Sequence, residues 1–100
     1  MVINWSEFAQ ESLKNFIEIT KIQNTEKYVH DLFDYIDLLI ENNNLGKYQF
    51  KFNDYDVRQL IFRKHKILYY VKNDEIRILA LIHSSQDYIT ILKQMLRYLF

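Results

Sequence analysis

The sequence predicts an α+β domain: an N-terminal strand, an antiparallel helical hairpin packed on one face of a small antiparallel sheet, and a C-terminal helix. Three observations carry this. Apolar residues recur at helical spacing as far as Ile40, the period drops to two from Lys47 onward, and helical spacing returns after Asp87. A chain of 100 residues supports one modest core, so residues 1–100 are read as a single domain.

Met1 to Trp5 forms the first strand. Ser6 caps the helix that follows, and Glu7 in its first turn sits where the helix dipole favours a carboxylate. Ala9, Leu13, Phe16, Ile17 and Thr20 recur at helical spacing and take this helix to about Ile22. After Thr25, the run Val29, Leu32, Phe33, Ile36, Leu39 and Ile40 marks a second helix, which stops at Asn42-Asn43-Asn44-Leu45-Gly46. Only a few residues separate the two helices, which makes them antiparallel neighbours. Tyr48, Phe50 and Phe52 then alternate with Lys47, Gln49 and Lys51, and Asn53 to Asp56 breaks the run. "VRQLIF", "HKILYYVK" and "EIRILALIH" supply three further strands. From Asp87, itself a fitting cap, Ile89, Leu92, Leu96 and Leu99 share one face of a closing helix.

Composition narrows the chemistry. With 49% hydrophobic and 26% charged residues the chain is too apolar for disorder and too interrupted by charge for a membrane span. Thirteen basic and thirteen acidic side chains cancel, so no global field draws the protein to nucleic acid or an anionic membrane. The absence of cysteine rules out disulfides and thiolate zinc sites and suits a reducing cytoplasm. "MVINWSEFAQ" has neither the basic leader nor the apolar core of a secretory signal, so a cytoplasmic protein is expected. One glycine, Gly46, and no proline exclude phosphate-cradling loops and nucleophile elbows. No cofactor or metal is expected. His30 and Asp34 share a helix face beside Asp31, but two or three ligands on one surface helix rarely hold an ion, and an ordinary polar face is the better reading.

If Asn73 and Asp74 form a two-residue turn, Lys72 opposes Glu75, and counting outward pairs Tyr70 with Arg77, Leu68 with Leu79 and Lys66 with Leu81. One face then holds Ile67, Tyr69, Val71, Ile76, Ile78, Ala80 and Ile82, suited to a helix-covered core. The other holds Lys64, Lys66, Leu68, Tyr70, Arg77, Leu79, Leu81 and His83. The plain reading of this second face is a solvated surface whose leucines the C-terminal helix covers. The functional reading is a cationic end that grips phosphate or an acidic partner, with His83 exchanging a proton near neutral pH.

The order of elements, with Arg58-Gln59-Leu60, His65-Lys66-Ile67-Leu68-Tyr69-Tyr70, Ile78-Leu79-Ala80-Leu81-Ile82-His83 and Asp87, resembles the RelE/ParE superfamily of bacterial type II toxins over nearly the whole chain. The resemblance implies a small cytoplasmic toxin held inactive by a cognate antitoxin whose flexible segment wraps it. RelE-like members cut messenger RNA on the ribosome with clustered basic residues; ParE-like members inhibit DNA gyrase and need no hydrolytic site. The Arg-x-Leu run and the ending His-x-x-x-Asp are closer to ParE-like sequences. Lys66 stands where arginine is usual and loses the bidentate fork, and Ser85 and Gln86 stand where basic residues are common. The cationic cluster of an RNA-cutting member is therefore thin, and gyrase is the expected target.

The same resemblance sets the site residues. Lys66, His83 and Arg58 would be catalytic in a ribosome-dependent endoribonuclease, the alternative activity. Arg63, Lys64, Tyr70, Arg77, Asp87, Tyr98 and Phe100 would meet a target or partner. For Arg63-Lys64-His65-Lys66 a solvated hairpin loop competes with nucleic-acid contact, and for His83 a strand-end hydrogen bond competes with the toxic surface. The apolar end, Tyr98, Leu99 and Phe100, either packs on its own sheet or docks an antitoxin helix or a second copy, which leaves homodimer and toxin–antitoxin hetero-oligomer both open. A third class is a non-toxic module that keeps only antitoxin binding.

Overall fold

The computed structural model describes residues 1–20 and 25–99. In chain order its elements are β1 (Val2–Trp5), α1 (Glu7–Thr20), α2 (Thr25–Glu41), β2 (Lys47–Phe52), β3 (Tyr55–Phe62), β4 (His65–Lys72), β5 (Glu75–His83) and α3 (Tyr88–Leu99). Ile22, the expected end of the first helix, lies outside the described residues. Strands β2 to β5 form an antiparallel meander, and β1 pairs parallel to β5, giving the order β1-β5-β4-β3-β2. The sheet is therefore mixed at one edge. No helix among the described residues is long and apolar enough to cross a membrane.

Two of the three hairpin turns place both central residues at positive φ, Asn53 and Asp54 at 47° and 66°, Asn73 and Asp74 at 49° and 60°. Such mirror-image turns match the twist of the strands they join, and Asn and Asp tolerate this region better than other side chains. The chain's one glycine is needed elsewhere. A Cβ on Gly46 would lie 2.6 Å from Cε1 of Tyr69. Gly46 N–H donates to the buried Tyr69 hydroxyl at 2.8 Å, which donates to Asn43 O at 2.9 Å, tying the exit of α2 to the sheet.

The β4–β5 register follows the expected count from Lys72↔Glu75 to Tyr70↔Arg77, continues as Tyr69↔Ile78, and then shifts by one. Beyond the shift Leu68 pairs with Ala80, Ile67 with Leu81, Lys66 with Ile82 and His65 with His83. Leu79 is the extra residue, a β-bulge that puts Leu79 and Ala80 on the same side. Its carbonyl accepts the Ser6 hydroxyl proton at 2.9 Å, and the same oxygen of Ser6 accepts Ala9 N–H at 3.0 Å as the cap of α1. The expected pairs Leu68 with Leu79 and Lys66 with Leu81 are thus corrected: Ala80 and Ile82, expected under the hairpin, lie beneath α3, and Leu81 and His83 turn toward the hairpin instead.

Two cores result. Under the helical hairpin, Ala9, Leu32, Ile36 and Leu39 pack on Leu60, Ile67, Tyr69, Ile76, Ile78 and Leu81. Beneath α3, Val57, Leu68, Tyr70, Leu79, Ala80 and Ile82 surround Met95. Each fully buried aliphatic side chain contributes about 1.5–3 kcal/mol. The face expected to be open is therefore largely covered, as its plain reading had it. The apolar stripes are narrower than their sequence patterns: Ile17, Phe33 and Ile40 lie on the exposed flanks of α1 and α2. On α3 the covered side chains are Ile91, Leu92, Met95 and Leu96, whereas Ile89 points away from the sheet and is 55% exposed.

Candidate functional site

The bulge brings His83 under α1, where it meets a second histidine. His65 pairs with His83 across the strands, and their rings stand edge to face with centroids 5.1 Å apart. Phe16 of α1 adjoins both, 4.6 Å from His65 and 5.7 Å from His83. Tyr28 of α2 closes the group with its hydroxyl 2.6 Å from His65 Nδ1. The backbone N–H of Lys64 donates to that phenol oxygen, which leaves the hydroxyl proton for the imidazole.

Burial governs the electrostatics here. His65 is only 2% exposed, and loss of water lowers its pKa from the ordinary 6.5 to about 4, with a smaller push from His83. It is neutral in any near-neutral medium. Burial also raises the Tyr28 hydroxyl, which therefore keeps its proton. His83 is more exposed and locally tied: Ser85 N–H donates to its Nδ1 at 3.1 Å, and the Ser85 hydroxyl lies 2.7 Å from the same nitrogen. A neutral ring that accepts at Nδ1 carries its proton on Nε2. The turn that follows is held by His83 N–H to Gln86 Oε1 at 2.8 Å and Ser84 N–H to Lys64 O at 2.7 Å.

A cleft of about 480 Å³ opens beside these rings between α1 and α3. Its apolar walls are Phe8, Phe16, Leu81 and Ile91. The polar ones are Glu11, Ser12 and Asn15 from α1, Gln94 from α3, and Ser85 and Gln86 from the turn.

The other expected site residues are dispersed. Lys66 faces α3, with Nζ 4.9 Å from the centre of the Tyr88 ring, on the opposite side of β4 from His65. Arg58 pairs with Tyr69 further along the sheet and donates to Gly46 O at 2.9 Å, beside a smaller pocket with Lys51 and Asp54. Arg63, at φ 50°, lies over Phe62 and bonds Asp31 at 3.1 Å. Lys64 is exposed in the same turn. Tyr70 stacks on Tyr55 at 4.9 Å, while Arg77 bonds Glu75 at 2.9 Å, which holds that carboxyl below its usual range together with Asn4. Asp87 caps α3, accepting Ile89 N–H at 3.2 Å and the Thr90 hydroxyl at 2.9 Å. The side chain of Tyr98, and Phe100 altogether, lie outside the described residues. His30, Asp31 and Asp34 cluster on the exposed face of α2, where Asp31 already serves Arg63.

Sequence reasoning found His83 but missed its company. Phe16 reads only as part of the apolar stripe of α1, Tyr28 carries no signal in the sequence, and the pairing of His65 with His83 depends on a bulge without a local sequence mark.

A helical hairpin over a meander whose last strand is joined in parallel by the first is an architecture shared with bacterial toxins. The crystal structure of a copper-bound point mutant of a toxin from Helicobacter pylori superposes with a TM-score of 0.53 at 14% identity, covering 85% of this chain and 96% of that one. Residues 3–88 match the family described as the ParE toxin of the type II toxin–antitoxin system parDE. The chain belongs to the ParE toxin family. No curated protein sequence matches it.

Proposed function

We propose that this protein is the toxin of a type II toxin–antitoxin pair, acting in the cytoplasm as a single domain that inhibits DNA gyrase until a cognate antitoxin binds it. Family membership supports the toxin and the antitoxin partner. The choice of gyrase over messenger RNA rests on one observation, the dispersal of Lys66, Arg58 and His83. Cutting RNA requires a base near the 2′-hydroxyl and a cation near the developing phosphorane charge, both within hydrogen-bond reach of one phosphate. Lys66 is stacked on Tyr88, Arg58 is spent on Gly46 O, and neither lines the cleft beside His83. Inhibition of a protein target needs only a surface.

Induced expression without the antitoxin tests this reading. Filamentation, a DNA-damage response and loss of supercoiling by purified gyrase are the expected outcomes. Arrested translation with cuts in ribosome-bound messages would replace gyrase by the endoribonuclease. Normal growth would leave a binding module.

A further inference from the structure

We infer that the cleft between α1 and α3 is a receptor for a single arginine side chain presented by a partner polypeptide. In the reading above that partner is the antitoxin, so this part rests on that proposal; the chemistry of the cleft does not.

Grouping His83 on one face with Lys64, Lys66 and Arg77 points to a cationic, anion-gripping end. The cleft that forms there has the opposite character. Its lining contains one carboxylate, Glu11, and neither lysine nor arginine. Among the described residues no cation lies within ion-pair distance of Glu11. His65 is buried behind the wall and hydrogen-bonded to Tyr28, and the Nδ1 of His83 is engaged by Ser85, so neither Nδ1 is turned into the cleft as a free donor. A phosphate or carboxylate entering here would meet Glu11 with neither lysine nor arginine beside it. A cation would meet it without a competitor.

The shape selects the kind of cation. Glu11 and Asn15 are one helical turn apart on α1, with Gln94 on α3. One carboxylate and two amide oxygens match the forked donors of a guanidinium better than the three donors of a compact ammonium. The aromatic walls Phe8, Phe16 and His83 suit a planar, weakly hydrated cation and the methylene stem behind it. The volume, about 480 Å³, lies in the range of small-ligand sites and admits one such side chain with its water. The mouth lies between two helices and is open to a chain that crosses them.

The test titrates the full chain with a short uncharged peptide bearing one central arginine and follows amide and side-chain resonances. Expected are shifts confined to Glu11, Asn15, His83 and Gln94, binding weakened by roughly tenfold or more in Glu11→Gln, and similar weakening when citrulline, of the same shape without the charge, replaces arginine. Glu18→Gln, on α1 away from the lining, should bind as the parent does. Equal affinity for the citrulline peptide, indifference to Glu11→Gln, shifts elsewhere on the surface, or no binding at millimolar peptide would each overturn the assignment. The two proposals fail separately. A chain that takes the arginine peptide yet neither stops growth nor binds an antitoxin sinks the functional reading alone. One that is neutralised equally well with Glu11→Gln, and ignores the peptide, sinks the cleft alone.

Discussion

The two halves of β5 follow the same alternation with opposite results. In Glu75–Ile78 the even positions, Ile76 and Ile78, face the helical hairpin; beyond Leu79 the even positions, Ala80 and Ile82, face α3. Leu81 and His83 therefore turn toward α1. One inserted residue separates the halves, fixed in place by the Ser6 hydroxyl at 2.9 Å. The first half is a plain core strand. The second owes its site to the bulge, because unbroken alternation would put His83 on the α3 side, away from Phe16, His65 and Tyr28.

Removing the bulge should be the most damaging change. Deleting Leu79 leaves Ala80, Leu81, Ile82 and His83 on their present faces but removes a buried leucine from beneath α3 and the carbonyl that accepts from Ser6, costing about 3–5 kcal/mol by urea titration. A deletion variant of parental stability would show that neither the Leu79 side chain nor its bond to Ser6 supports the fold. Acid sharpens the comparison next, since near pH 4 to 6.5 it acts on His65 beside the second half, while the Glu75 carboxyl of the first half is held below its usual range by Asn4 and Arg77. The folded pKa of His65, about 4, lies below its ordinary 6.5, so the folded state binds protons less readily than the unfolded one. Its stabilisation is complete above about pH 6.5 and is lost as pH falls toward 4, by about 2–3 kcal/mol in all. In His65→Phe the urea midpoint should be flatter across that window; an unchanged slope would remove His65 as the cause. The smallest effect is at the far end of the same region. Asp87→Ala removes the α3 cap and costs about 1 kcal/mol, with faster amide exchange in α3 while Ile76 and Ile78 stay protected.

What the residues disclose in advance depends on how far away their partners lie. Asn73-Asp74 is a local turn signal, and it set the pairs from Lys72↔Glu75 to Tyr70↔Arg77 correctly. Asp87 was legible as a cap for the same reason. The bulge was not, because the group that holds it is 73 positions away at Ser6. The parallel placement of β1 beside β5 is likewise invisible in "VINW", whose residues carry no mark of their neighbour. At the site, His83 stood out as an abrupt polar end to an apolar strand. The sign of its surroundings did not, because parity counted without the bulge grouped it with Lys66, which the fold turns to Tyr88 instead.

The pairing of the first strand with the last also governs when this molecule can exist. Val2 to Trp5 are made before their partners, Glu75 to Ile78, each more than seventy residues further along the chain. At about 5–20 residues per second the opening strand waits several seconds with one edge unmatched. Until then Ser6 has no carbonyl to hold, the bulge cannot set and the cleft has only one wall. The pairing of the first strand with the last therefore sets the fold, the bulge and the cleft together, in a single late step.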